Sequence, residues 1–296
     1  MIVGRLAPTP SGALHWGNAR TFLIAWLSAR AAGGRVLLRM DDLDRARVKP
    51  GYVEQALADL RWLGLDWDGE PLYQSRRSDE YAAALEQLRA DGRVYPCYCS
   101  RREIALAANA PHADDEAVAY PGTCRNRTQP ACDRRPAWRF AAGGERVAFE
   151  DALRGRCEFA CDDFVVFRND GVAAYQLATV VDDHSQGVTE VVRGDDLLRS
   201  TARQVLLHRA LKLTPPRYLH VPLVLDETGQ RMAKRRDSTR LAALRSAGVS
   251  AAEVIGALAA SCGWAAPGER LMPVDLLERF DLALLPREPV RVRIGL

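Results

Sequence analysis

Hydrophobic positions fall in short runs near the start of the chain, with helical spacing in the stretches between them. Residues 2–7 read as a strand, 18–32 as a helix, 36–40 as a strand and 52–63 as a helix. This alternation predicts a parallel sheet with helical crossovers. A further helix is expected at 78–90, and after it comes a cysteine-bearing insert at 95–133, punctuated by Pro96, Pro121, Pro130 and Pro136. Residues 138–149 and 157–167 look like strands flanking Gly155, followed by 175–181 and a helix at 200–211, with the sheet completed near 219–225. From 241 onward the spacing of Val254, Leu258 and Cys262, and later of Leu276, Leu277 and Phe280, is helical. No internal repeat or low-complexity tract interrupts the series.

Composition narrows this picture. With 296 residues and 48% hydrophobic content, the chain can bury one sizeable core with a small insertion. Met1 to Gly4 lead straight into the first motif, leaving no room for a secretion leader, and no run reaches membrane-spanning length. A cytoplasmic protein with no membrane partner is expected. The 41 basic and 38 acidic residues nearly cancel to +3, so any RNA contact must come from local patches. Candidates are Arg231, Lys234, Arg235, Arg236 and Arg240, and a second group of Arg125, Arg127, Arg134 and Arg135.

Seven cysteines, an odd number in a chain without a leader, fit metal binding or burial better than a disulfide framework. Cys97, Cys99 and Cys124 offer three thiolates in a loop-rich insert, where a structural zinc ion would supply folding energy the insert cannot draw from a core. Tyr120, His112, Cys132 or water could take the fourth place, and three reduced, buried cysteines are the alternative. Cys157 and Cys161 lie in a strand-like pattern and Cys262 in an apolar helix, and no chemical role is expected of them.

Residues 4–20, GRLAPTPSGALHWGNAR, pass from a strand through proline and glycine into a helix opened by His15, Trp16, Gly17 and Asn18. Unpaired N–H groups and the positive dipole end at a helix N-terminus favour an anion, and His15 adds a side-chain donor. A second stretch, RMAKRRD at 231–237, places Lys234 in a basic loop that taken alone reads as solvated surface. Together the two stretches resemble the HIGH and KMSKS signatures of the class I aminoacyl-tRNA synthetases, with Met232, Ala233, Lys234 and Arg235 in the second. RLAPTPSG at 5–12, RMDDLD at 39–44 and YQLATVVDDHSQGVTEVVRGDDLL at 175–198 narrow the resemblance to the glutamyl branch. Within it the chain looks most similar to the glutamyl-Q tRNA(Asp) synthetase family, short paralogues of glutamyl-tRNA synthetase that lack its anticodon-binding domains.

The resemblance covers nearly the whole chain and implies an α/β, Rossmann-like class I catalytic domain with a zinc-binding insertion and a short helical appendage. Its parts would be residues 1–94, the first half of the catalytic domain; 95–135, the insertion; 136–240, an acceptor-type insertion and the second half with the KMSKS-like loop; and 241–296, the appendage. It selects Tyr120 as the fourth zinc ligand. It implies ATP with Mg²⁺, tRNA-independent activation of glutamate, and transfer to queuosine in tRNA(Asp), by a monomer. His15, Gly17, Asn18 and Lys234 would carry catalysis, with His15, Gly17 and Lys234 also holding ATP.

Glutamate brings two carboxylates and an ammonium, so its pocket needs arginines and an acid, which Arg5, Arg193 and Asp41 can supply. By resemblance the segment Arg5, Leu6, Ala7, Pro8 and Thr9 lines that pocket, Tyr175 closes over it and Arg193 faces a carboxylate. The chain departs from the family pattern at Asp41, where Glu is common, and at Arg231 and Ala233, where Lys and Ser are common. Competing readings are a truncated glutamyl-tRNA synthetase charging tRNA(Glu), a non-catalytic RNA-binding relic, and a small-molecule nucleotidyltransferase. The short segment after 241 speaks against the first.

Overall fold

The protein is described from a computed structural model covering residues 1–44, 46–49, 51–100, 102–104, 120–127, 133–230 and 240–292. The chain opens with β1 (Val3–Leu6), α1 (Trp16–Arg30), β2 (Arg35–Met40), α2 (Tyr52–Trp62) and β3 (Leu72–Tyr73). β1 pairs parallel with β2, and β2 with β3. The return from α1 to β2 depends on Gly34, where a Cβ would stand 2.2 Å from the Ile2 carbonyl oxygen. Only glycine lets the chain pass that close to its own first strand.

The middle of the chain supplies α3 (Ser78–Ala90), β4 (Val94–Cys97), β5 (Ala137–Phe140), β6 (Glu145–Asp151), β7 (Gly155–Cys161), β8 (Phe164–Phe167), α4 (Tyr175–Ser185), β9 (Glu190–Gly194), α5 (Leu198–Ala210) and β10 (Arg217–Val221). β10 runs parallel to β9 and meets β6 where Tyr218 faces Asp151. β6 and β7 form an antiparallel hairpin, and β4, β5 and β8 a separate antiparallel sheet. β9 lies beside β1, where the Thr189 N–H donates to the Val3 carbonyl at 2.9 Å. The chain thus builds outward from β1 through β2 to β3, then returns to the other side of β1 with β9 and β10. That reversal opens a crevice at the carboxyl ends of β1 and β9, where open α/β sheets bind ligands.

Helices cover both faces, as strand alternation requires. Leu6, Val36, Leu38 and Met40 join a core with α1, α2 and the C-terminal helices, while Val3 and Leu37 face a second core with α3, α4 and α5. Arg20 of α1, 1% exposed, is satisfied by the Pro222 carbonyl at 3.0 Å and by Ser261. A third small cluster gathers Tyr95, Cys97, Tyr120 and Cys124.

The structure differs from the sequence reading in four places. α1 starts at Trp16, two residues before the expected 18. The strands expected at 138–149 and 157–167 are each broken in two, the first at Gly143 and Gly144, whose φ angles are 64° and 81°. Residues 175–181 belong to a helix, α4, whose polar positions Gln176, Thr179, Asp182 and Asp183 recur at helical spacing but are all buried, facing partners inside the protein and not solvent. The C-terminal segment contains α6 (Leu241–Ser246) and α7 (Ala251–Ala260), but it also ends in a strand, β12 (Val290–Arg291), parallel to β11 (Val224–Leu225). No helix among the described residues is long and apolar enough to cross a membrane.

Candidate active site

A cleft of about 790 Å³ opens at the crevice between β1 and β9. Arg5, Ala7, Pro8, Thr9, His15, Gly17, Asn18, Asp41, Tyr175 and Arg193 all line it. Of the site residues expected from sequence, Leu6 does not, because strand alternation sends its side chain into the core, where it is fully buried. The binding role expected of Leu6 therefore does not belong to its side chain. Lys234 lies outside the described residues, as do Arg231, Met232, Ala233, Arg235 and Arg236.

One end of the cleft is the start of α1. His15 occupies the N-cap position in extended conformation, and the first intrahelical bond runs from the Ala19 N–H to its carbonyl at 3.0 Å. The Asn18 amide oxygen accepts the His15 N–H at 3.3 Å, so Asn18 shapes the helix entry as well as lining the cleft. A Cβ at Gly17 would meet the His15 ring at 3.2 Å, so glycine leaves the imidazole its place. The chain beyond residue 239 returns to this point: Arg240 bridges His15, and the Leu241 N–H donates to the Leu14 carbonyl at 3.0 Å. On the other flank, Val224 lines the cleft and Gln230 donates to Asp226 at 3.0 Å. The flank at Arg240 and Leu241 is therefore held at His15.

The other end is a network of charges taken out of water. Arg39, fully buried, donates to Asp41 at 2.6 Å and to Asp183 at 2.5 Å. Arg5 lies 3.4 Å from the same Asp183 oxygen and donates to the Val192 carbonyl at 3.1 Å. Burial works to raise Asp183, but the Arg39 and Arg5 guanidiniums overturn it and hold the carboxyl below the usual carboxylate range. Arg193 donates to His220 at 3.2 Å, to the Tyr175 hydroxyl at 3.2 Å and to Thr201 at 2.7 Å. Tyr175, at the first turn of α4, is 38% exposed and so is not a core residue. Of Asp195 and Asp196, the two nearby carboxylates that could give Arg193 a structural strand-end salt bridge, Asp195 pairs instead with Arg154 at 2.6 Å. Three guanidiniums against the two carboxylates Asp41 and Asp183 leave this cluster one positive charge in excess.

Sequence reasoning missed Arg39, Asp183, Thr201, Asp151 and His220. Arg39 and Asp183 lie inside stretches already singled out, RMDDLD and VVDDHSQG, but nothing local marks them as partners.

Away from the cleft, the sulfurs of Cys97, Cys99 and Cys124 lie within 4.8 Å of one another, an arrangement able to hold a metal ion. The Tyr120 hydroxyl stands 3.4 Å from the Cys97 sulfur and 3.7 Å from that of Cys99. Burial pushes the Cys99 thiol up to about 11 and the Tyr120 phenol above its ordinary value. A cation among these donors supplies the positive charge that favours their deprotonated forms. Cys132 and His112 lie outside the described residues. Two arginines of the expected RNA-facing patch are already paired, Arg125 with Asp163 at 2.7 Å and Arg134 with Glu103 at 3.4 Å.

Residues 1–273 match the tRNA synthetases class I (E and Q), catalytic domain. The chain is 52% identical to the glutamyl-Q tRNA(Asp) synthetase of Symbiobacterium thermophilum, over 99% of this chain and 96% of that one. It is 49% identical to the protein of the same name from Nitratidesulfovibrio vulgaris, over 98% and 95%. Among solved structures it resembles a glutamate tRNA ligase from Elizabethkingia meningosepticum in complex with its amino acid, with a TM-score of 0.84 and 27% identity, over 98% of this chain and 66% of that one. With the cleft at the β1–β9 reversal and these relatives along almost its whole length, the chain belongs to the class I tRNA synthetases, in the glutamyl-Q tRNA(Asp) synthetase family of ligases.

Proposed function

We propose that this ligase activates glutamate with ATP, without needing tRNA, and transfers the glutamyl group to queuosine in the anticodon loop of tRNA(Asp). The observation that carries the proposal is the excess positive charge of the Arg5, Arg39, Arg193, Asp41 and Asp183 cluster at one end of a cleft whose other end is the N-terminus of α1. Glutamate, with two carboxylates and one ammonium, carries the single negative charge that neutralises the cluster. The names of the relatives, and the solved ligase bound to its amino acid, support the same substrate.

In the first step an oxygen of the α-carboxylate attacks the α-phosphorus of ATP, and the bond to pyrophosphate breaks. Arg193 and Arg5 hold glutamate, while Asp41, shorter by one methylene than the Glu common in the family, reaches the ammonium through water. His15 and the N–H groups at the start of α1, with Lys234 from the basic loop, stabilise charge building on the leaving pyrophosphate. Mg²⁺ accompanies the ATP and neutralises part of the phosphate charge. In the second step a hydroxyl of the queuosine ring attacks the glutamyl carbonyl and AMP leaves. Cys97, Cys99, Tyr120 and Cys124 hold one structural zinc ion, and the protein acts as a monomer in the cytoplasm.

A second reading, charging of tRNA(Glu), is favoured by the likeness to glutamate tRNA ligases. Radiolabelled glutamate offered with ATP to three purified RNAs separates the two: tRNA(Asp) with queuosine, tRNA(Asp) with guanosine in its place, and tRNA(Glu). Label on the first alone is the expected result, and label on tRNA(Glu) overturns the proposal.

A further inference from the structure

Behind Arg193 stands a buried chain of groups that ends in a histidine the reaction itself does not use. His220 of β10, fully buried, has its Nδ1 2.7 Å from an Asp151 carboxylate oxygen, and the His220 backbone N–H donates to the same oxygen at 3.0 Å. The other Asp151 oxygen accepts the N–H groups of Leu153 at 3.0 Å and Arg154 at 2.9 Å. A carboxylate with this many donors is ionised, so Nδ1 carries the imidazole proton and Nε2 presents its lone pair on the opposite side. Arg193 Nε lies 3.2 Å from that nitrogen, with the Thr201 hydroxyl at 2.8 Å. With the ring proton on Nδ1, the 2.8 Å contact is the Thr201 hydroxyl donating to Nε2, while its oxygen accepts from Arg193 at 2.7 Å, so the guanidinium reaches the Nε2 lone pair both directly and through Thr201.

We infer that His220 is a positioning residue for Arg193: as a neutral acceptor fixed by Asp151, it anchors the Nε–H and turns the far edge of the guanidinium toward the substrate carboxylate. Arginine has five N–H donors. One goes to His220, one to Thr201 and one to Tyr175, leaving one on each terminal nitrogen, the pair a bidentate carboxylate grip needs. A protonated His220 would point a donor at a donor and set two cations side by side. The groups around the ring oppose that state on balance: burial and Arg193 disfavour the charge, Asp151 and the more distant Asp195 favour it, and Tyr218 and Phe149 contribute only neutral rings.

The inference rests on the glutamate reading of the cleft, and two readouts separate their failures. Nitrogen NMR of histidine-labelled wild-type protein reports the tautomer with no substrate present: an Nδ1–H imidazole at neutral pH is expected, and an Nε2–H imidazole or an imidazolium overturns the inference whatever the cleft binds. Kinetics then tests its consequence. In ATP–pyrophosphate exchange, His220→Leu should raise the KM for glutamate about 10-fold, the size of one lost buried hydrogen bond to a charged group, while the KM for ATP stays within about twofold. His220→Gln, whose amide offers an oxygen to Arg193 and an N–H to Asp151, should recover most of the loss. Melting curves identify any variant that fails to fold, and for such a variant Asp151→Asn, which releases the tautomer, takes its place. An unchanged glutamate KM in a folded variant, or a parallel rise for glutamate and ATP, contradicts the positioning role.

Discussion

The two ends of the cleft are built by opposite means. At the start of α1 the groups offered to a ligand are backbone N–H donors and one half-exposed imidazole, set by a local stretch from Leu14 to Asn18. At the β1–β9 end the groups are charged side chains from strands and helices far apart in the chain, held by buried partners. A phosphate needs many weak donors that tolerate its movement through the reaction, whereas an amino acid must be told from its neighbours by fixed charges. Catalysis and selection can therefore be damaged separately.

The sharpest break should come at the selective end. Arg193→Met leaves the substrate carboxylate without its partner and should raise the KM for glutamate about a hundredfold or more, with the KM for ATP unchanged. At the phosphate end, His15→Ala should lower kcat about a hundredfold while the glutamate KM holds, because the lost donor acts on charge that develops in the transition state. Steady-state exchange kinetics of the two variants would dissolve the comparison if both parameters moved together in each.

The cysteine cluster belongs to neither end and supplies a control. Cys124→Ser should abolish bound zinc by elemental analysis and lower stability by about 2 kcal/mol or more, while residual folded protein keeps the glutamate KM of the wild type. A glutamate KM that rises in step with zinc loss would tie the cluster to the cleft.

Acid should weaken the selective side through stability, because two buried neutral histidines lie there. Burial holds His208 down to about 4 against an ordinary value of 6.5, and His220 is lowered in the same direction. Below the ordinary value the unfolded chain takes up protons that the folded chain refuses, so stability falls as pH drops from 6.5 toward the folded values. For His208 alone the loss reaches about 2 kcal/mol by about pH 5. Melting temperatures across this range should show less decline in His208→Gln than in the wild type, and an equal decline in both would remove His208 from the account.

The same contrast explains what could be read from the sequence. The phosphate end was legible because its parts are consecutive: proline, glycine, His15, Gly17 and Asn18 announce a strand-to-helix turn by their order alone. At the selective end Arg5, Asp41, Tyr175 and Arg193 were found through recognisable strings, but their supports were not. Arg39 finds Asp183 across 144 residues and His220 finds Asp151 across 69, and no periodicity encodes such a pairing. The fold followed the same rule. β1, β2, α2 and α3 were visible in their spacing, whereas in α4 the polar positions Gln176, Thr179, Asp182 and Asp183 are buried, so the usual contrast of a wet and a dry face does not apply. The paired glycines at 143 and 144 were the available signal for the break between β5 and β6, but the reading of 138–149 as one strand ran across them, and only the structure shows their positive φ.

ATP–pyrophosphate exchange with glutamate, glutamine and aspartate, each without any tRNA, reads the selectivity of the cleft by itself. Exchange with glutamate alone is expected, because glutamine lacks the second carboxylate for an arginine to hold and aspartate is shorter by one methylene. Exchange that appears only once tRNA(Glu) is added, or that glutamine supports as well as glutamate, would contradict it.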